Sequence, residues 1–140
     1  MSTDENVTKK EQGEAVIRRL NEGRPQPALE DLRSRFPLLA HGIESYALGT
    51  VWAETELDDR TRQIATVAAF AALGEIQTLE IHVRYALNIG VTPAELIDLV
   101  ALTTVHAGFP RAIEAAETIG RILDERAQAD EPDEESELSR

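Results

Sequence analysis

Three histidines, one tryptophan, two tyrosines and a set of arginines hold most of the chemistry open to this 140-residue chain. It contains no cysteine, which removes disulfides, thiolate zinc sites, thiol nucleophiles and Cys-x-x-Cys redox centres. No Gly-rich phosphate loop and no Gly-x-Ser-x-Gly elbow occurs either. The strongest candidate is His82. If its segment is helical, its neighbours three and four residues away are Thr78, Leu79, Tyr85 and Ala86, so the imidazole shares an apolar face. His106 repeats the arrangement with Leu99, Leu102 and Thr103, next to the small pair Ala107-Gly108. Two imidazoles on inward faces of consecutive helices are expected to line one cavity, where such a pair shuttles a proton near neutral pH. The plain alternative for each is a core histidine satisfied by one hydrogen bond.

The remaining polar candidates are assigned to binding. Arg62 and Arg84 flank apolar stretches, and a guanidinium there either pairs with surface acids or clamps a substrate carboxylate with two N–H groups. Tyr46 and Trp52 are read as core aromatics, and a lone Trp at a helix end can equally wall a pocket. His41, followed by Gly42, is expected to face solvent or to mark a helix end. A metal site is not expected, since His-Glu-x-x-His is absent and Glu80, two residues before His82, lies off its face.

Helices must position these groups, because no segment shows the period-2 alternation of a half-buried strand. Thr8 with Glu11 has capping-box spacing and starts a helix carrying Val16, Ile17 and Leu20, which Asn21 to Pro27 breaks. A short turn over Ala28 to Arg35 follows. Pro37 then opens a third helix to about Val51, with Ile43, Tyr46, Ala47 and Thr50 on one stripe. Asp58 caps a fourth that Gly74 ends, and beyond its arginines this helix is apolar nearly all round. Gln77 to Asn88 makes the fifth. Thr92-Pro93-Ala94-Glu95 begins the sixth, which Gly108 stops, and the seventh runs from Arg111 to about Arg126. The expected fold class is all-α, a compact bundle of about six to seven helices. Residues 1–26 are assigned to an N-terminal tail and helix, 27–126 to the helical domain, and 127–140 to a disordered acidic tail.

The formal net charge is −12, and half of it comes from residues 124–140, where eight acids stand against two arginines. No basic stripe exists for a phosphate backbone, so no nucleic-acid partner is expected. The longest apolar run, Ile64 to Gly74, spans 11 residues against the roughly 18 to 20 of a bilayer crossing, and no membrane partner is expected either. The first residues have no basic region leading into an apolar one, which predicts a chain without a signal peptide, in the cytoplasm. Apolar residues on several faces of the fourth and sixth helices predict a partner subunit over them.

Read in order, Tyr46-Ala-Leu-Gly49-Thr-Val-Trp52, Leu57-Asp-Asp-Arg60-Thr-Arg62, Ala71-Ala-Leu-Gly74, Leu79-Glu-Ile-His82, Asn88-Ile-Gly90-Val-Thr92-Pro-Ala-Glu95 and Ala107-Gly108-Phe-Pro110 resemble the carboxymuconolactone decarboxylase family, over about residues 36 to 125. The resemblance implies an alkylhydroperoxidase D-like helical subunit, assembly as a homotrimer or homohexamer, no metal or organic cofactor, and a small-molecule substrate that loses CO2. Aligned on His82, the superfamily's redox cysteines fall at Glu75 and Thr78, so disulfide chemistry is ruled out. Where members similar to the catabolic enzyme read Tyr-Cys-Gly, this chain reads His106-Ala107-Gly108.

The resulting expectation is a cofactor-independent, decarboxylase-like lyase acting on a small carboxylated lactone or enolisable acid. His82 is its general acid or base, His106 or Tyr46 the donor to a developing enolate oxygen, and Arg62 the binder of a carboxylate, with Tyr46 and Trp52 also assigned to substrate binding. The rival is a non-catalytic ligand-binding or structural oligomer on the same fold, which the His106-Ala107 departure would permit.

Overall fold

The structure, a computed structural model, describes residues 8–131. Every regular element among them is helical: α1 (Lys9–Leu20), α2 (Pro27–Arg35), α3 (Pro37–His41) with a π-helical continuation (Gly42–Trp52), α4 (Asp59–Leu73), α5 (Ile76–Asn88), α6 (Pro93–Ala107) and α7 (Phe109–Ala129). Local capping chemistry sets most of these ends. Thr8 and Glu11, and Thr92 and Glu95, form complete capping boxes. The Asp58 carboxylate accepts from the Thr61 amide at 2.7 Å, a bond that holds its pKa below the ordinary range. Gly108, at φ +85°, separates α6 from α7 in a conformation that a Cβ disfavours. The seventh helix runs to Ala129, past the boundary expected at 126, because Ala127, Gln128 and Ala129 are good helix formers. Residues 132–140 of the expected acidic tail lie outside the described residues. Among those described, no helix is long and apolar enough to cross a membrane.

The chain divides into two compact units, Met1–Ala65 with Arg84–Val91 and Thr66–Val83 with Thr92–Arg140. In the first, α1 packs directly on the π-helical segment. It buries Gly13, Val16, Ile17 and Leu20, one face at helical spacing. Ile17, Leu29 and Ala40 form an apolar cluster there, covered by Leu32, Ile43 and Leu48. Asn88 donates its side-chain amide to the Leu20 carbonyl at 3.0 Å, satisfying an orphan acceptor at the end of α1.

The segment after α3 departs from the expected α-helix. Its wider register puts residues five apart on one face, and Thr50 accordingly donates its hydroxyl to the Ser45 carbonyl, five residues back, at 3.0 Å. Glu44 and Gly49 are buried, whereas Tyr46 and Ala47, placed by α-periodicity on the inward stripe, are exposed. The reason is tertiary. A methyl on Gly13 would sit on the Glu44 carbonyl oxygen, and one on Gly49 would sit on the carbonyl oxygen of Lys9. Two backbones in direct contact therefore select the register.

The second unit buries Val67, Ala71, Leu79, Val83, Leu96, Leu99, Ala112, Ala115, Ile119 and Ile122. Arg121 pairs with Glu80 at 3.0 Å, tying α7 to α5. Leu73, Ile97, Leu102, Val105, Phe109 and Ile113 remain exposed.

Candidate functional site

The expected site residues fall into two groups, one in each unit. In the first unit, Trp52 ends the π-helical segment and Arg62 lies in the first turn of α4. The guanidinium carbon of Arg62 sits 5.9 Å from the centroid of the indole, a cation–π distance. Arg62 is only 12% exposed. Its Nε–H donates to Thr55 Oγ1 at 2.7 Å, Nη2 donates to the Thr55 carbonyl, and Nη1 donates to Asp59 Oδ1 at 3.1 Å. The guanidinium is thus held on the loop that precedes α4, and both readings of Arg62, ion pair and clamp, have to accommodate these contacts.

Asp59 links this group to α1. Arg19 engages it with both Nε, at Oδ2, and Nη2, at 2.9 Å from Oδ1. The hydrogen bonds from Arg19 hold the Asp59 carboxyl below its ordinary pKa against the opposing effect of burial, with smaller help from the Trp52 indole and Arg62. The same pairing raises the pKa of Arg19. Arg19, Thr55 and Asp59 are absent from the sequence-derived candidates. The Asp59-to-Arg62 spacing of one helical turn was a visible signal. The contact with Arg19, 40 residues away, had none.

Tyr46 is 67% exposed, which takes it out of the core role expected for it. A buried acid, Glu44, takes the inward place on that segment. At 2% exposure it pairs with Arg33, and Lys10 lies 3.8 Å from its second oxygen. Arg33 also helps line a cavity of about 190 Å3 with Glu14, Ile17, Arg18, Gln26 and Leu29, and none of the expected site residues borders it.

In the second unit, His82 lies against Phe70, with ring centroids 5.4 Å apart and planes inclined by 30°. Burial pushes its pKa down to about 4, so the imidazole is neutral at neutral pH. The apolar placement read from helical spacing is what the structure shows for this residue. His106 belongs to the same unit but is exposed, in the last turn of α6, beside the exposed Leu102, Val105 and Phe109. The inward face expected for it is not realised within the subunit; the buried positions on α6 are Leu96, Leu99 and Thr103. His41 is exposed at the end of α3, with the Ser45 hydroxyl 3.3 Å from Nδ1. Among the described residues, no group of three or more His, Asp or Glu is placed to hold a metal ion.

Comparison with known proteins adds an independent line. The profile of the Carboxymuconolactone decarboxylase family matches residues 37–119. The chain is 34% identical over 91 residues to a 4-carboxymuconolactone decarboxylase of Acinetobacter baylyi, spanning 65% of this chain and 68% of that one. It is 34% identical over 87 residues to a nitrosuccinic acid decarboxylase of Metarhizium robertsii, and 28% identical over 69 residues to an uncharacterized protein of Methanocaldococcus jannaschii. These matches span 60% and 49% of this chain, and 61% and 64% of the two relatives. The matched family region includes Tyr46, Trp52, Arg62, His82 and His106 but not α1, which supplies Arg19.

Proposed function

Because the chain belongs to the carboxymuconolactone decarboxylase family, we propose that it is a decarboxylase of small carboxylated acids, working through His82 and without a cofactor. The packing of the His82 ring against Phe70, in surroundings that favour the neutral imidazole, is the observation that supports this reading. When a carboxylate leaves as CO2, the electrons of the broken C–C bond must enter an adjacent acceptor, and the carbon must then take up one proton. A neutral imidazole suits both needs. Its N–H donates to the developing anionic oxygen, and its other nitrogen takes a proton from solvent for delivery to carbon. Bringing an anionic substrate beside it raises its proton affinity at that moment.

Within the first unit, Arg62 with Trp52 as its aromatic wall is the group suited to a carboxylate, and Tyr46 there and His106 in the second unit, both exposed, are further donors. The acids named for two relatives, 4-carboxymuconolactone and nitrosuccinic acid, each pair a carboxylate with a group that can accept electrons, and they are the substrates to try first. Replacing His82 with Gln is expected to lower kcat for CO2 release by about 10^2- to 10^4-fold while changing KM little. Unchanged turnover would remove His82 from the mechanism. Thermal stabilisation by these acids without CO2 release from the wild type would favour the non-catalytic binder.

We also infer a homo-oligomer, a trimer or hexamer as the family resemblance implies. The six large apolar side chains left exposed on the second unit support it, as does the exposure of His106 among three of them. Light scattering at micromolar concentration is expected to exceed the 15.4 kDa of one chain several-fold. A single-chain mass that does not rise on concentrating would refute the assembly.

A further inference from the structure

We propose that the cavity between α1 and α2 binds a small zwitterion, an aliphatic α-amino acid, with Glu14 taking its ammonium, Arg33 its carboxylate, and Ile17 and Leu29 its side chain. The lining residues lie between positions 14 and 33 of the first unit, ahead of the family match at 37–119. This site is therefore independent of the proposed decarboxylation.

Helical spacing builds the walls. Glu14, Ile17 and Arg18 stand at i, i+3 and i+4 on α1, and Gln26, at the cap of α2, repeats that spacing with Leu29 and Glu30. Ile17 and Leu29 are each 5% exposed and belong to one apolar cluster, which gives the cavity an apolar floor. Its volume of about 190 Å3 is several times one water's share of about 30 Å3 in the liquid. Gln26 fixes the rim: its Nε2 donates to the Tyr85 hydroxyl at 2.7 Å, and its Oε1 accepts from the Ala28 amide at 3.3 Å. Arg33 is likewise set in place before any ligand arrives, since its Nε–H donates to the buried Glu44 carboxylate.

That bond occupies only one edge of the guanidinium. Arg33 Nη2 stands 3.9 Å from Glu14 Oε1, and Lys10 Nζ, which does not border the cavity, stands 3.9 Å from the same oxygen. Neither distance is a hydrogen bond. The side chains of Glu14 and Arg33 are 34% and 38% exposed, so both are open to a ligand entering from solvent. An α-amino acid carries its ammonium and carboxylate on one carbon, which matches an acid and a guanidinium placed side by side. The ammonium donates to Glu14, and the carboxylate accepts from the Nη groups of Arg33. One loose ion contact thereby gives way to two charge-assisted hydrogen bonds.

Charge selects for the same ligand. Arg18 and Glu30, both exposed, make no side-chain hydrogen bond or ion pair among the described residues. On and behind the walls, Lys10, Arg18 and Arg33 stand against Glu14, Glu30 and Glu44. A lone anion or a lone cation meets both attraction and repulsion there, whereas a zwitterion presents each sign to its complement.

The test is titration calorimetry of the full chain with three probes: L-leucine, 4-methylpentanoate, which lacks the ammonium, and isopentylamine, which lacks the carboxylate. L-Leucine is expected to bind with a Kd between about 10 μM and 1 mM, and each single-charge analogue at least about tenfold more weakly, the loss of one charge-assisted hydrogen bond. Glu14→Gln is expected to weaken L-leucine at least about tenfold and to leave 4-methylpentanoate unchanged or tighter, because the acid it removes repels that anion. A merely structural role for Glu14 would weaken both alike, and that result overturns the proposal. So does the absence of heat from L-leucine at about 10 mM, or equal wild-type affinity for L-leucine and 4-methylpentanoate. If Glu14→Gln does not fold, the wild-type series of three probes still decides the matter. Affinity for L-leucine that falls in His82→Gln and holds in Glu14→Gln places the binding elsewhere and overturns the proposal as well.

Discussion

Gly13→Ala is expected to destabilise the protein by about 3 kcal/mol or more, the upper end of what forcing an extra carbon into a packed interior costs. The added methyl would overlap the carbonyl oxygen and carbon of Glu44, which are backbone atoms and cannot rotate away. Gly49→Ala meets the Lys9 backbone in the same manner from the facing segment. Relief requires α1 and the π-helical segment to separate, and separation disturbs the ion pair of the buried Glu44 with Arg33. Gly120→Ala serves as the internal control: it lies within α7, a Cβ there meets nothing within 4 Å, and the helix gains about 0.5 to 1 kcal/mol from losing a glycine. Urea unfolding of the three variants checks the contrast. A Gly13→Ala protein as stable as the wild type would mean that α1 does not meet the π-helical segment backbone to backbone.

Stability is also expected to fall by about 3 kcal/mol between pH 6.5 and pH 4, as a consequence of His82 alone. Its pKa drops from 6.5 in the unfolded chain to about 4 in the folded one. The depressed value means that the unfolded chain binds the extra proton across this window. The contribution of His82 is therefore complete above the unfolded pKa and is lost as pH falls toward the folded one. Asp58 and Asp59, whose carboxyls are held below their ordinary values by Thr61 and Arg19, act in the same direction but below their ordinary pKa of 3.8. The histidine window thus lies above the carboxylate one. Urea midpoints at pH 6.5 and 4.5 are expected to differ clearly for the wild type and much less for His82→Gln. Equal wild-type midpoints would show that the imidazole is not desolvated, and the neutral-base reading would go with it.

The same two regions show how far the residues alone reach. Helix boundaries at Thr8, Asp58, Thr92 and Gly108 were legible because capping is local: a hydroxyl or carboxylate reaches an amide two or three residues on, and the spacing shows it. The apolar setting of His82 was legible for a similar reason, since neighbours at three and four residues fix a helical face whatever packs against it. All-α architecture and the family follow from such local and linear patterns, matched over residues 37–119.

Tertiary contact decided the rest. Nothing in Gly42–Trp52 itself demands a wider helix; the close approach of α1 through Gly13 and Gly49 does, and it turns Glu44 inward and Tyr46 outward. Likewise the partners of Arg62 could be listed from the sequence only as far as Asp59, one turn away. That Arg19 takes the larger share of that carboxylate depends on how α1 packs, as does the placing of Phe70 against His82 on how α4 meets α5. Residue type and spacing determine what a side chain can bond within its own helix, whereas which distant charge or ring reaches it first depends on a packing arrangement stabilised by the whole unit.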